Sequence, residues 1–264
     1  MSGVLLEIDG GVATVTLNRP EALNSLDLAM TDGLRDVTER LESDAAIRAV
    51  LLRGAGEHFM AGGDIKWFHA ALDRPDDERR HMFERLLTEV HASVTRLRRM
   101  AKPVVASVQG AVAGFGLSLM SACDLAIAAD NSYFTLAYCN IGTTPDGGAT
   151  YALPRQVGVK QAMEMALLGE RFDARRALEL GLVNRVVPLA ELADETRALV
   201  ERLAQGPTAV YGRTKRLINE SLNRSLAEQL LAEQDSFAAS SVTADFAEGV
   251  SAFVAKRKPS FSGR

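Results

Sequence analysis

The chain has 264 residues, with 30 Lys and Arg against 34 Asp and Glu, a formal net charge of −4 and a pI near 5.7, so it carries no overall electrostatic footprint for nucleic acid. At 47% hydrophobic and 24% charged residues it reads as a globular protein with a sizeable core rather than a disordered or fibrous chain. Cys123 and Cys139 are too few for a disulfide framework and stand at no metal-ligand spacing to the histidines. No metal and a reducing, cytoplasmic setting are therefore expected.

The opening "MSGVLLEIDGGVATVTLNRP" lacks the basic start, apolar centre and small-residue cleavage site of a secretion signal, and alternates like two strands around Gly10 and Gly11. A helix is expected near Leu26 to Glu42, a strand at Arg48 to Arg53 and a helix at about Glu78 to Met100. Pro103 to Cys123 runs 21 residues without a charge, long enough for a membrane span. Gln109, three serines and the interrupting glycines favour instead a strand (Val104 to Val108), a Gly-rich turn and a buried helix from about Phe115. A strand at Leu125 to Ala129 follows, and "RRALELGLVNRVVP", Arg175 to Pro188, reads as helix, Gly stop and strand. From Leu189 onward the pattern is helical, with Pro207 as its clear break. The β-β-α order suggests an α/β core over 1–199, with a helical region over 200–264 that packs on the core or on a neighbouring subunit.

Two Gly-rich stretches bear on chemistry. In "EHFMAGGDIKWF" (Glu57 to Phe68) the pair Gly62-Gly63 follows an apolar run; it fits a tight turn, or a main chain laid open to a ligand. In "QGAVAGFGLSLM" the turn through Gly110, Gly114 and Gly116 opens a helix at Phe115, where unpaired N–H groups and the helix dipole favour negative charge. Two amides from two such turns are what polarising a carbonyl, and holding the enolate formed from it, requires.

With "TLNRPEALNSLD", "HFMAGGDIK", "KPVVASVQGAVAGFGLSLMSACDLAIAAD", "IGTTPDGGATYALPRQVG", "GLVNRVVP" and "FVAKRKPSF" in order, the chain resembles the crotonase (enoyl-CoA hydratase/isomerase) superfamily over essentially its whole length. The resemblance implies a crotonase-like spiral of β-β-α units and a helical C-terminal trimerisation region, often assembled as a dimer of trimers. It also implies an acyl-CoA thioester as substrate, with no separate cofactor. Gly63 and Phe115 would supply the oxyanion-hole amides. Ala61, Gly62, Asp64, Ile65, Lys66 and Gly114 would line the bound thioester and coenzyme A, joined by Phe253 and Lys256 from the tail, often a neighbour's. Lys66 and Lys256 as solvated charges, and Phe253 as a core residue, remain open readings.

The family's hydratases carry two glutamates, and at those positions this chain has Ser118 and Tyr138. Neither activates water as a carboxylate pair does. Asp146, in "TTPDGG", stands where several isomerases of the superfamily and the 4-chlorobenzoyl-CoA dehalogenases carry a catalytic aspartate. A lone carboxylate suits a 1,3-proton shift, so double-bond isomerisation is the favoured expectation; a purely structural Pro-Asp-Gly turn is the other reading. His91, twelve residues before Pro103, matches the dehalogenase histidine, but a lone histidine on a core-facing helix is also an ordinary structural residue. The alternatives are a hydratase with atypical acid and base, a dehalogenase-like hydrolase using Asp146 and His91, and a non-catalytic acyl-CoA-binding protein. RNA binding would need a basic face, for which "RLRRMAK" (Arg96 to Lys102) is the nearest stretch. The segment from Phe68 to Leu86 resembles the family's flap, and Trp67, Phe68, Met82, Phe83, Leu86 and Leu87 are candidates for the acyl wall.

Overall fold

The computed structural model describes residues 3–264; Met1 and Ser2, in the expected N-terminal hairpin segment, lie outside the described residues. Strands β1 (Val4–Asp9) and β2 (Val12–Leu17) pair antiparallel through Gly10 and Gly11, both with positive φ. Helix α1 (Leu28–Ser43) starts two residues later than its apolar spacing suggests, because the Asp27 carboxylate caps it by accepting the Met30 N–H. The parallel strands β3 (Ala49–Gly54), β4 (Val104–Val108), β6 (Leu125–Ala129) and β9 (Arg185–Val187) extend the sheet in the order β1-β2-β3-β4-β6-β9.

A three-stranded sheet of β5 (Ala111–Ala113), β7 (Tyr133–Thr135) and β8 (Phe172–Asp173), ordered β5-β7-β8, stands beside it. Its strands are two or three residues long, too short for a two-residue period to mark them. Helices α2 (Ile65–Ala70), α3 (Asp76–Arg99), α4 (Phe115–Ser121), α5 (Ala149–Val157), α6 (Val159–Leu168) and α7 (Ala174–Glu179) complete the core. Among the described residues, no helix is long and apolar enough to cross a membrane. The uncharged run is divided between β4, β5 and α4, as its glycines indicate.

The large sheet buries alternate residues on its two faces. Val15, Leu52, Ala106 and Ala128 point into the main core, whereas Leu51, Val105, Ile127 and Ala129 meet α8 (Leu192–Ala204) through Leu199 and Val200. Residue 200, the expected domain limit, therefore falls within a helix packed on the sheet. Beyond it lie α9 (Thr208–Ser221), α10 (Leu226–Ser241) and α11 (Ala244–Val254). Pro207 is not the only break in this region: Ser225, with Glu228, forms a capping box for α10, and Thr243 caps α11, so each stops the preceding helix from running on. The buried Asp245 carboxylate accepts the N–H groups of Ser262 and Gly263 and pins the tail.

Candidate active site

Three segments meet where the Gly-rich turns lie. The Phe59 N–H bonds to Gln109 O, Met60 N–H to Ala111 O, and Ala113 N–H returns to Met60 O, so Phe59–Ala61 is held against β5. On the other side, Ala61 N–H donates to Leu23 O, Leu26 N–H to Gly62 O and Asp64 N–H to Leu26 O. Asn24, fully buried and in the left-handed region, staples the arrangement: its amide donates to the carbonyls of Ala55, His58 and Phe59. The sequence alone assigns Asn24 no part in the site, although its place in "TLNRPEALNSLD" is plain.

Gly62 and Gly114 face each other. A Cβ on Gly62 (φ +92°) would lie 3.2 Å from Ala113 O, and one on Gly114 (φ +51°) 3.4 Å from the Gly62 Cα, so the absence of side chains is what lets the two turns touch. The alternating bonds leave the Gly63 N–H directed away from Leu26, and Phe115, as the first residue of α4, has no preceding turn to receive its N–H. Among the described residues, neither amide donates to a protein acceptor. The Phe68 ring lies over Gly63, with its tip where a Gly63 Cβ would be, and forms an edge-to-face cluster with Trp67 and Phe83, centroids 5.0–5.8 Å apart.

The Asp146 carboxylate accepts the Tyr138 hydroxyl at 2.5 Å, and the Tyr138 oxygen is 3.3 Å from Ser118 Oγ. Tyr138 opens a 3-10 turn (Tyr138–Ile141), and Gly147 and Gly148, both with positive φ, carry the chain from Asp146 into α5. A Cβ on Gly147 would come within 2.8 Å of the Phe115 ring and 2.9 Å of Ser118 Cβ, so the aspartate's turn sits directly on α4. Burial pushes the Asp146 carboxyl above the usual carboxylate range, against the downward pulls of the Tyr138 hydrogen bond and the His91 charge. Burial, then the Asp146 charge, pushes the Tyr138 phenol upward and keeps it protonated.

His91, exposed on α3, accepts the Gly147 N–H through Nε2 at 3.3 Å. His58 accepts the Ala111 N–H at 3.1 Å through Nδ1. The Asp64 carboxylate caps α2 at Lys66 and Trp67 and pairs with Arg19 at 3.1 Å. Burial pushes this carboxyl upward, but the Arg19 contact and the capping bonds outweigh it and hold the group below the usual range. Ile65 and Lys66 are exposed on α2. Phe253, 86% exposed, is a surface residue of α11 and not a core one, and Lys256 is exposed beside it with φ +52°; neither hydrogen-bonds to the residues around Asp146 among the described residues.

The basic stretch from Arg96 to Lys102, the nearest to a basic face, is largely engaged. Arg96 pairs with Glu39 at 2.7 Å, Arg98 donates to Asn219, and the buried Lys102 donates to Leu41 and Asp44 carbonyls at the end of α1. A cleft of about 930 Å³ on the α8 side of the sheet, lined in part by Glu7, Thr14, Arg53 and Thr196, includes none of the candidate site residues. Among the described residues, no group of three or more His, Cys, Asp or Glu is placed to hold a metal ion.

Residues 7–264 match the enoyl-CoA hydratase/isomerase family. The chain belongs to that family. Over 264 residues, spanning both chains completely, it is 39% identical to 1,2-epoxyphenylacetyl-CoA isomerase of Escherichia coli K12. It is 32% identical to trans-2-decenoyl-[acyl-carrier-protein] isomerase of Streptococcus mutans, across 99% of this chain and 98% of the other. An enoyl-CoA hydratase structure from Polaromonas sp. JS666 superposes with a TM-score of 0.92 at 31% identity, covering 98% of this chain and 99% of that one. The fold is thus that of the crotonase superfamily, and the matches include proteins named for isomerisation as well as for hydration.

Proposed function

We propose that this family member moves a carbon–carbon double bond in an acyl-CoA thioester, with Gly63 and Phe115 N–H as the oxyanion hole and Asp146 as the proton shuttle. The observation that carries the reading is the pairing of two unengaged main-chain amides on touching turns with one partly buried carboxylate, on the turn before α5 that packs against α4. In a 3-enoyl thioester, Asp146 removes a C2 proton and the electron pair moves through the thioester carbonyl onto its oxygen. The two amides stabilise that charge. The resulting dienolate takes the proton back from Asp146 at C4, and the double bond rests between C2 and C3.

The side chains at the hydratase positions support isomerisation over hydration, because Ser118 and Tyr138 are hydrogen-bonded to one another and present no second carboxylate. The dehalogenase-like reading is weakened by His91, whose Nε2 is occupied by the Gly147 amide rather than free for water. Trp67, Phe68 and Phe83, clustered beside Gly63, are assigned to the wall facing the acyl group. Lys66, and from the tail Phe253 and Lys256, are assigned to the coenzyme A nucleotide. The exposed Phe237, Val242, Phe253 and Val254 on the C-terminal helices support assembly as a trimer or a dimer of trimers.

Proton NMR in heavy water, with 3-enoyl-CoA and 2-enoyl-CoA offered separately, tests the reaction. Migration of the double bond with deuterium at C2 or C4 is expected. Formation of 3-hydroxyacyl-CoA would make the chain a hydratase, and tight binding without turnover would make it an acyl-CoA-binding protein.

A further inference from the structure

Ser118 and Tyr138 hold no charge at neutral pH, yet both are tied to the one carboxylate of the site. The phenol has a single proton, and the 2.5 Å contact gives it to Asp146 Oδ1. Ser118 Oγ lies 3.3 Å from the same phenol oxygen and 3.5 Å from Gly114 O; since the phenol has no second proton to offer, the serine is the donor in either contact, and the phenol oxygen is the nearer acceptor. Both residues are buried, Ser118 at 1% and Tyr138 at 9% exposure, so water does not compete freely for these bonds. Ser118 stands on α4, the helix whose first residue is Phe115. The chain Ser118, Tyr138, Asp146 therefore connects the carboxylate to the element that presents the Phe115 amide.

We infer that Tyr138, itself held by Ser118, is a positioning residue that commits Oδ1 of Asp146 to a fixed hydrogen bond and leaves Oδ2 to exchange the substrate proton. The inference rests on the reading of Asp146 as the shuttle. Among the described residues, Oδ2 has no hydrogen-bond partner, which is the state a base needs before it meets a C–H group. The geometry of the backbone works in the same direction: His91 accepts the Gly147 N–H, and Gly147 presses on Phe115 and Ser118, so the aspartate is fixed from both its main chain and its side chain. The titratable groups that face Asp146 are Tyr138 from the 3-10 turn and His91 from α3.

The test is a carbon-13 NMR titration of protein labelled at the aspartate carboxyl, in the wild type, Tyr138→Phe and Ser118→Ala, with Asp146→Asn used to assign the resonance. Steady-state kinetics across pH accompany it. In Tyr138→Phe the Asp146 carboxyl is expected to titrate higher by about one pH unit or more, as loss of a hydrogen bond to a charged group requires. The acid limb of kcat should move with it, and kcat should fall roughly ten- to hundredfold with KM nearly unchanged, because a displaced base costs rate and not binding. Ser118→Ala should shift the titration the same way by less. An Asp146 titration in Tyr138→Phe that coincides with the wild type, or a fall in kcat with an unmoved acid limb, would overturn the assignment and leave the phenol as packing. If the wild type isomerises nothing, the proposed reaction fails, while the titration still decides whether Tyr138 and Ser118 hold the carboxylate.

Discussion

Gly63 and Phe115 offer main-chain amides fixed by strand ends, whereas Asp146 and Tyr138 offer side chains carried on a 3-10 turn and two left-handed glycines. The first half cannot change without changing the fold: its amides are aimed by the bonds of Met60, Ala61, Leu26 and Asp64 to three other segments. The second half depends on which side chains the turn carries, Tyr138 and Asp146 here. On the proposed reading, the amides that stabilise charge belong to the backbone of the fold and the groups that handle the proton are side chains placed upon it.

Substitutions separate the two halves. Asp146→Asn should lower kcat by about 10²–10⁴, the range for loss of a positioned acid-base group, while circular dichroism and melting show an intact fold. A stability gain at neutral pH is also expected, and its sign can be worked out. Burial raises the folded-state pKa of Asp146, so the native state holds the proton more tightly than the unfolded chain, and stability falls as pH rises through the window between the two values. Above that window the ionised carboxylate is a net cost, which asparagine removes; a marked loss of stability in Asp146→Asn would contradict the picture.

In the main-chain half, Gly114→Ala should damage stability and activity together. It forces a side chain into φ +51°, ψ −122° against Gly62, at a cost of about 1–3 kcal/mol measurable by denaturant unfolding. Full activity in a stable Gly114→Ala protein would break the contrast between the halves. A pH profile sharpens it further: the acid limb of kcat/KM should lie above the ordinary carboxylate range, because the base must be ionised to act and burial delays its ionisation. The smallest effect is expected at Lys66→Gln, an exposed charge assigned to the coenzyme A nucleotide. A KM increase of about two- to fivefold that shrinks with added salt, with kcat unchanged, would fit an exposed ion pair.

How legible each half was in the sequence follows from the same contrast. The strands β3, β4 and β6 announce themselves through apolar runs, closed by Gly54, by Gln109-Gly110 and by Asp130, and Gly114 marks the start of α4 at Phe115. The positions of Asp146 and Tyr138 could be located only by resemblance, since nothing in their local pattern says that a residue eight positions away will bond the carboxylate. Asn24 and Arg19 were silent for a related reason: the partners that tie them to the site, the carbonyls of Ala55, His58 and Phe59 and the Asp64 carboxylate, lie 31–45 residues along the chain. Helix α5 was obscured by Pro154 within it, and β5, β7 and β8 by their brevity. The exposure of Phe253 could not be read from its apolar neighbours, because a face covered by a partner subunit and a face covered by the chain's own core have the same composition.

The most direct test of the central claim is exchange of the C2 protons of one acyl-CoA substrate with deuterium, followed by NMR in the wild type and in Asp146→Asn under identical conditions. The account predicts rapid wash-in with the wild type and its near-complete loss in the variant, with thioester binding retained because the Gly63 and Phe115 amides are untouched. Equal wash-in by both proteins would show that another group takes the proton, and would contradict the assignment of Asp146 as the shuttle.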